Sequence, residues 1–254
     1  MKEALIRIAK KAGEIILSRP EFDIETKEGH ANFVTTIDKN VQTYLEKALP
    51  ELLPGSVIIG EEKENESLTD APTWIIDPVD GTTNLIHDYR WSAVSIALAV
   101  GKKPVTGLVY QPYTGDIYYA EAGKGAVLND KAIHVSRVPF ENALVCFGTS
   151  PYDPSLARRS MDAALAFLYA CADIRRVGSA AIDLCYVAAG RQEIFFELTL
   201  KPWDYAAGML IIKEAGGCFE FLSGGSFGVN AGVLAAAPGC MEKAKALLQD
   251  HAGI

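Results

Sequence analysis

Two carboxylates three residues apart close the apolar run in Trp74-Ile75-Ile76-Asp77-Pro78-Val79-Asp80-Gly81-Thr82-Thr83-Asn84. Pro78 fixes φ between Asp77 and Asp80, and Gly81 supplies permissive backbone where a helix would start. Carboxylates this close repel unless a cation lies between them. Oxygen-only ligation suits magnesium, which keeps waters and takes substrate phosphate oxygens as further ligands. The amides of Gly81, Thr82 and Thr83 at a helix start would add an anion site beside the metal. A metal next to an anion cradle points to phosphoryl chemistry. Asp-Pro and Asp-Gly are also ordinary turn formers, and alone the segment reads as a turn.

Other acids in matching positions shift that balance. Gly60-Glu61-Glu62 follows the apolar run Val57-Ile58-Ile59, so Glu61 is expected to project from a strand end as Asp77 does from the next. Glu62 belongs instead with Lys63, Glu64 and Glu66 in a charged, solvated stretch. Asp38 follows Thr35-Thr36 at a helix start, where an acid commonly caps amides or offsets the helix dipole. Asp204 precedes the apolar helical run from Ala206 to Ile212 and admits the same reading, with Gly216-Gly217 ending that helix. Among the four histidines, His87 has no partner at a ligand spacing and reads as structural. No G-x-S-x-G elbow or G-x-x-x-x-G-K-[ST] loop is present, which argues against serine hydrolases and P-loop NTPases.

The elements that must position these acids divide near residue 140. Before it, helices over about 3–17 and 37–49, the second stopping near Pro50, should pack on strands at 57–59, 74–76, 93–100, 104–111, 116–122 and 126–128. The short gaps between those strands favour antiparallel neighbours. After it, strands near 143–148 and 194–198 alternate with helices near 154–170 and 203–215, followed by Val233 to Ala236 and a helix from Met241 to Leu248, so a second sheet with helices on its faces is expected. The organisation is thus a 1–140 α+β half with most of the acids and a 141–254 α/β half supplying Asp204. With 49% hydrophobic and 22% charged residues, the chain has the composition of a globular protein rather than a disordered one. Acids outnumber bases 32 to 24, a net charge of −8, which speaks against a general grip on nucleic acid. The five cysteines lack C-x-x-C spacing and read as reduced, buried thiols. No apolar run approaches the roughly 18 residues of a membrane span, and the N-terminal helix carries interrupting lysines. A cytoplasmic protein is expected, without membrane contact.

Taken together, Val34-Thr35-Thr36-Ile37-Asp38, Gly60-Glu61-Glu62, Asp77 to Asn84, Gly178-Ser179-Ala180-Ala181 and Trp203-Asp204-Tyr205-Ala206-Ala207-Gly208 resemble the inositol monophosphatase family. These are magnesium-dependent, lithium-sensitive phosphatases related to fructose-1,6-bisphosphatases and 3′-phosphonucleotide phosphatases. The five ordered motifs span nearly the whole chain. The resemblance implies a layered αβαβα sandwich, mixed α+β and α/β, and two magnesium ions per subunit with a third left open. One ion would be held by Glu61, Asp77 and the carbonyl of Val79, and the other by Asp77, Asp80 and Asp204. Thr82, paired with Asp38, would orient and help deprotonate the attacking water, with Glu61 also in the catalytic set. Gly81, Thr82, Thr83, Ser179, Ala180 and Glu197 would contact substrate. Lys27 matches a family lysine, and residues 28–32 would close over substrate. Arg175 and Arg176 read as solvent-facing rather than as phosphate ligands.

The implied activity is hydrolysis of myo-inositol monophosphate or a similar small polyol or sugar phosphate by a homodimer. Fructose-1,6-bisphosphatase activity is the alternative, ahead of a 3′-phosphonucleotidase or a non-catalytic regulatory partner. No direct nucleic-acid binding is expected.

Overall fold

The computed structural model describes residues 1–18, 22–26, 33–62 and 68–253. Lys27, the expected closing segment 28–32 and the charged residues 63–67 lie outside the described residues. Two amphipathic helices form the outermost layer. In α1 (Lys2–Ser18) the buried residues Leu5, Ala9, Ala12 and Ile16 recur at helical spacing, and in α2 (Thr36–Leu52) Ile37, Val41, Leu45 and Leu49 do the same. The second helix runs through Pro50 to Leu52 rather than stopping before it. Pro50 falls in the last turn, where one missing N–H is tolerated because packing of Leu45 and Leu49 and the bond from Leu53 N to Leu49 O hold the end together.

Beneath these helices lies a seven-stranded sheet: β3 (Val57–Gly60), β4 (Thr73–Asp80), β5 (Ala93–Val100), β6 (Lys103–Gln111), β7 (Asp116–Glu121), β8 (Ala126–Leu128) and β9 (Lys131–Ala132), in sequential order. Only β3 and β4 are parallel; the rest is an antiparallel meander. Every residue of β4 is buried, which is why its sequence is a continuous apolar run instead of an alternation. A separate antiparallel pair, β1 (Ile24–Thr26) with β2 (Phe33–Thr35), is absent from the sequence reading; strands of three residues leave almost no periodic signal.

The second sheet contains β10 (Leu144–Phe147), β11 (Asp173–Arg175), β12 (Ile194–Leu200), β13 (Cys218–Phe221) and β14 (Ala231–Ala236), ordered β11-β10-β12-β14-β13. The helices α5 (Ala180–Ala188) and α6 (Pro202–Glu214) fill the space between the two sheets, while α4 (Ala157–Ala170) and α7 (Met241–Ala252) cover the far side. Helix α6 approaches β6 so closely that a Cβ on Gly107 would sit 2.8 Å from Ala207 O. Both central helices are apolar all round, as a layer between two sheets requires.

Three buried clusters fill the four interfaces of this five-layer stack, the middle one lying on both sides of α5 and α6. Leu5, Leu45, Trp74 and Ile76 join the first helices to the large sheet; Ile75, Leu184, Phe195 and Tyr205 fill the middle; Phe167, Phe196, Leu234 and Leu248 close the far side. The architecture is therefore the expected αβαβα sandwich. All five cysteines are free, three of them buried. Among the described residues no helix is long and apolar enough to cross a membrane.

Candidate active site

The acids of the site are aimed by an irregularity in β4. Residues three apart on a regular strand face opposite sides. Asp77 pairs with Ser95 but Asp80 pairs with Ala93, so β4 carries one extra residue between them, a β-bulge at the proline that cannot donate to the ladder. Beyond the bulge the alternation is reset. Val79 packs with Trp74 and Ile76 under the outer helices, and the two aspartates are left to share the side facing α5 and α6.

Asp77 is almost fully buried, and its Oδ1 accepts from Val79 N at 2.9 Å. Burial pushes its carboxyl well above the usual range, and Glu61, Asp80, Asp204 and Asp38 each push it further. Glu61 arrives because β3 runs parallel to β4 with Gly60 beside Ile76, so the next residue emerges next to Asp77. Asp204 comes from the first turn of α6, where its Oδ2 accepts from Lys201 N at 2.8 Å; burial, Asp80 and Glu61 hold its carboxyl high. Four acids, drawn from both halves of the chain, thus act on one buried carboxylate.

Asp80 is held differently. Its Oδ2 accepts from the Ser179 hydroxyl and from Ala181 N at 2.7 Å, at the N-terminus of α5, which Ser179 also caps. Burial pushes the Asp80 carboxyl up to about 6, less than its depth alone would give, because Ser179 and the amides of Ala181 and Ala180 favour the charged form. Ser179 and Ala180, expected against substrate, are here turned to Asp80.

Asp38 serves two purposes at once. One carboxylate oxygen accepts from the backbone and hydroxyl of Thr35, closing a capping box at the start of α2; the other accepts from Thr82 Oγ1 at 2.8 Å. Helix-capping and a partnership with Thr82 were alternatives in the sequence, and both are present. Thr82 opens the single-turn helix α3 (Thr82–Ile86) behind Gly81. The φ of +94° at Gly81 is one that other residues rarely adopt, and a Cβ there would lie 2.9 Å from Trp91 O, so glycine is required. Asn84 ties this turn to the second half, donating to Trp91 O and Val177 O at 2.8 Å each.

Glu197 lies on β12 at a second bulge, between the pairings Glu197 with Val233 and Leu200 with Ala231. Its Oε1 accepts from Ser150 N at 2.8 Å, and a Cβ on Gly148 would fall 1.9 Å from its Oε2, so the carboxylate keeps this position only beside a glycine. Burial pushes the Glu197 carboxyl up to about 7 against the pull of Ser150 N and Arg176, with Asp80 adding to the rise. Arg175 is exposed and bound to Asp173, as expected; Arg176, though exposed, is turned inward, donating to Thr149 Oγ1 at 3.2 Å and acting on Glu197. The inward contacts of Arg176 differ from its solvent-facing reading, while Gly148 and Ser150 carry no spacing signal that reveals them in the sequence. His87 caps the end of α3.

Among the described residues no three acidic, histidine or cysteine side chains already form a ready coordination shell, so ligation would have to draw the carboxylates together. The donor set nevertheless fits a hard divalent cation: oxygen ligands only, buried, and each raising its neighbours' proton affinity.

A family model described as the inositol monophosphatase family matches residues 1–252. The chain is 40% identical over 247 residues to inositol monophosphatase 2 of Solanum lycopersicum, covering 92% of each. It is 38% identical over 255 residues to the Nus factor SuhB of Vibrio cholerae, covering 98% of this chain and 94% of that one. The solved Thermotoga maritima IMPase superposes with a TM-score of 0.89 at 28% identity, over 98% of this chain and 96% of that one.

Proposed function

The chain belongs to the inositol monophosphatase family, and from that premise we propose that it is a magnesium-dependent phosphomonoesterase acting on myo-inositol monophosphate or a similar small polyol or sugar phosphate. The observation that carries this reading is the accumulation of Glu61, Asp80, Asp204 and Asp38 around the buried Asp77. Glu61, Asp77 and the carbonyl of Val79 would hold one Mg2+, and Asp77, Asp80 and Asp204 a second. Bound there, the ions would neutralise the dianionic ester and acidify water. Solved relatives support the cofactor: one IMPase/NADP phosphatase, 26% identical with a TM-score of 0.84 and covering 94% of this chain, is described as complexed with Mg2+ and phosphate. Another, a Staphylococcal inositol monophosphatase, is an inhibitory complex with LiCl, which supports lithium inhibition here.

The protein's own groups supply the rest. Because the Thr82 hydroxyl donates to Asp38, its lone pairs are free to accept a hydrogen bond from an attacking water, and as that water loses its proton to Thr82 the Thr82 proton would pass to Asp38, which ends as the proton acceptor. Water oxygen bonds to phosphorus as the ester P–O bond breaks, and the leaving alkoxide takes up a proton. Glu197, held by the amide of Ser150, would accept hydrogen bonds from substrate hydroxyls, and Gly81, Thr82 and Thr83 would face the phosphate.

Phosphate release from myo-inositol 1-phosphate, fructose 1,6-bisphosphate and a 3′-phosphonucleotide, each with and without Mg2+, tests the reading. Fastest Mg2+-dependent release from the inositol ester is expected; faster release from the bisphosphate would move the assignment to the alternative activity, and release from none would overturn it. The SuhB relatives favour a second reading, a Nus-type factor in which catalysis is incidental. That role would survive Asp80→Asn, whereas hydrolysis would not. A homodimer, a cytoplasmic location, no direct nucleic-acid binding and a division near residue 140 complete the proposal; light scattering, cell fractionation, a binding assay and limited proteolysis check them.

A further inference from the structure

Ser179 is 1% exposed and occupies the N-cap position of α5. Its hydroxyl has one proton, and that proton goes to Asp80 Oδ2 at 2.5 Å, while the hydroxyl oxygen accepts from Ile182 N at 3.4 Å. The hydroxyl therefore has nothing left to donate to a ligand. Ala181 N donates to the same Oδ2 at 2.7 Å, and the Ala180 amide adds to the grip. Asp80, the last residue of β4, is thus held by the start of a helix from the other half of the chain.

How a carboxylate is held decides how it can meet a cation. Each oxygen of an ionised carboxylate has two lone-pair directions. On Asp80 both directions of Oδ2 are taken, so Oδ1 alone can be presented to an ion, and the group is kept from turning to offer the other oxygen. Asp77 differs. The one hydrogen bond to its side chain comes from Val79 N to Oδ1, so both of its oxygens keep a direction open, as a carboxylate shared by two ions requires. The contrast bears on which ion fits. Mg2+ demands near-octahedral geometry at about 2.0–2.1 Å, whereas the larger Ca2+ takes carboxylates through one or both oxygens in irregular shells.

We propose that Ser179 is a positioning residue of the second metal site, fixing Asp80 so that it offers Oδ1 alone and thereby favouring Mg2+ over Ca2+ there. The inference rests on the phosphatase reading for the identity of the ligand set, and metal binding separates the two because it needs no substrate.

Calorimetric titration of Mg2+, and separately of Ca2+, into the metal-free full chain is the test, comparing the native protein with Ser179→Gly, Ser179→Ala and Ser179→Thr. Glycine is nearly as good an N-cap as serine and alanine a poor one, so the first two variants lose the same hydroxyl while disturbing α5 to different extents. Both are expected to weaken the second Mg2+ about 10–100-fold, the usual effect of removing a group that orients a metal ligand, and to leave the first within about twofold of native. Ca2+ should weaken by no more than about threefold, because its shell tolerates a carboxylate that turns. Ser179→Thr, which restores the hydroxyl, should recover most of the Mg2+ affinity.

Unchanged Mg2+ affinity in Ser179→Gly overturns the proposal, as does equal weakening of Mg2+ and Ca2+, which a merely loosened helix start would also produce. Loss in Ser179→Ala without loss in Ser179→Gly assigns the effect to capping and overturns it too. Native protein that holds Ca2+ at the second site as tightly as Mg2+ overturns it without any variant. Should Ser179→Gly lose the second Mg2+ while the native protein hydrolyses no ester, the serine assignment stands and the phosphatase reading falls. Native protein that binds no Mg2+ sinks both.

Discussion

Each of the two sheets breaks its ladder at an acid of the proposed site, and the two breaks are finished in opposite ways. In the large sheet the bulge between Asp77 and Asp80 presents a buried carboxylate, that of Asp77, which is acted on by other carboxylates. In the smaller sheet the bulge after Glu197 presents a carboxylate that accepts from Ser150 N, feels Arg176, and is given room by Gly148. The first arrangement is electrostatically incomplete, as a cation site must be before its ion arrives. The second is finished by the protein, as suits a group that orients a neutral substrate. One local device, an extra residue in a strand, would on the proposed reading serve ion capture in one place and hydroxyl recognition in another, and what differs is the company supplied by neighbouring segments.

The sharpest way to break this comparison is Asp77→Asn. Phosphate release should fall at least about 10³-fold, because a residue proposed to bridge both ions loses its charge. Without Mg2+ the same variant should unfold at an unchanged or higher temperature, since a buried, mutually repelled carboxylate is gone. A clear loss of metal-free stability would show that Asp77 is as internally satisfied as Glu197. Next in size is Thr82→Ala, expected to slow turnover by about 10²-fold in steady-state assays, with Thr82→Ser recovering most of it.

Gly148→Ala probes the other bulge. Its methyl group would fall 1.9 Å from Glu197 Oε2, so the carboxylate must move. KM should rise by about tenfold with the Mg2+ requirement unchanged, and equilibrium unfolding should show a loss of about 1–3 kcal/mol. If the Mg2+ requirement shifts instead, the two regions are not separable. The smallest effect concerns pH. Glu197 is raised from 4.5 to about 7 in the folded protein, so its contribution to stability is fully present below pH 4.5 and is lost as pH rises through 7. Relative to Glu197→Gln, the native protein without metal should lose on the order of 1–3 kcal/mol between pH 5 and pH 8, measured by urea unfolding. Parallel curves for the two proteins would contradict the shift.

Much of the layered fold was legible in the sequence because its long elements are strongly periodic or uniformly apolar. Leu5 to Ile16 and Ile37 to Leu49 announce helices, and the buried β4 announces a central strand. Trp203 to Ala215 reads as a helix because the run is too long for a strand. The acids Asp38, Glu61, Asp77, Asp80 and Asp204 were equally legible, as carboxylates closing apolar runs or opening helices. The bulges were not, since a one-residue change of register is a property of two strands and appears in neither alone. Gly148 and Ser150 are illegible for a related reason: they matter through a turn that folds back onto β12, and nothing in the local sequence points to that contact. The helix passing Pro50 shows that a breaker near a terminus yields to packing on the preceding turns.

Asp38 fastens the beginning of α2 with one oxygen and steadies Thr82 with the other. A selection that scores colonies by abundance alone would therefore discard Asp38 variants as misfolded, while one scoring hydrolysis would discard them as inactive, and neither ranking could tell why. Separating the two requires a substitution at Thr35, which loosens the same helix without removing the Thr82 hydroxyl.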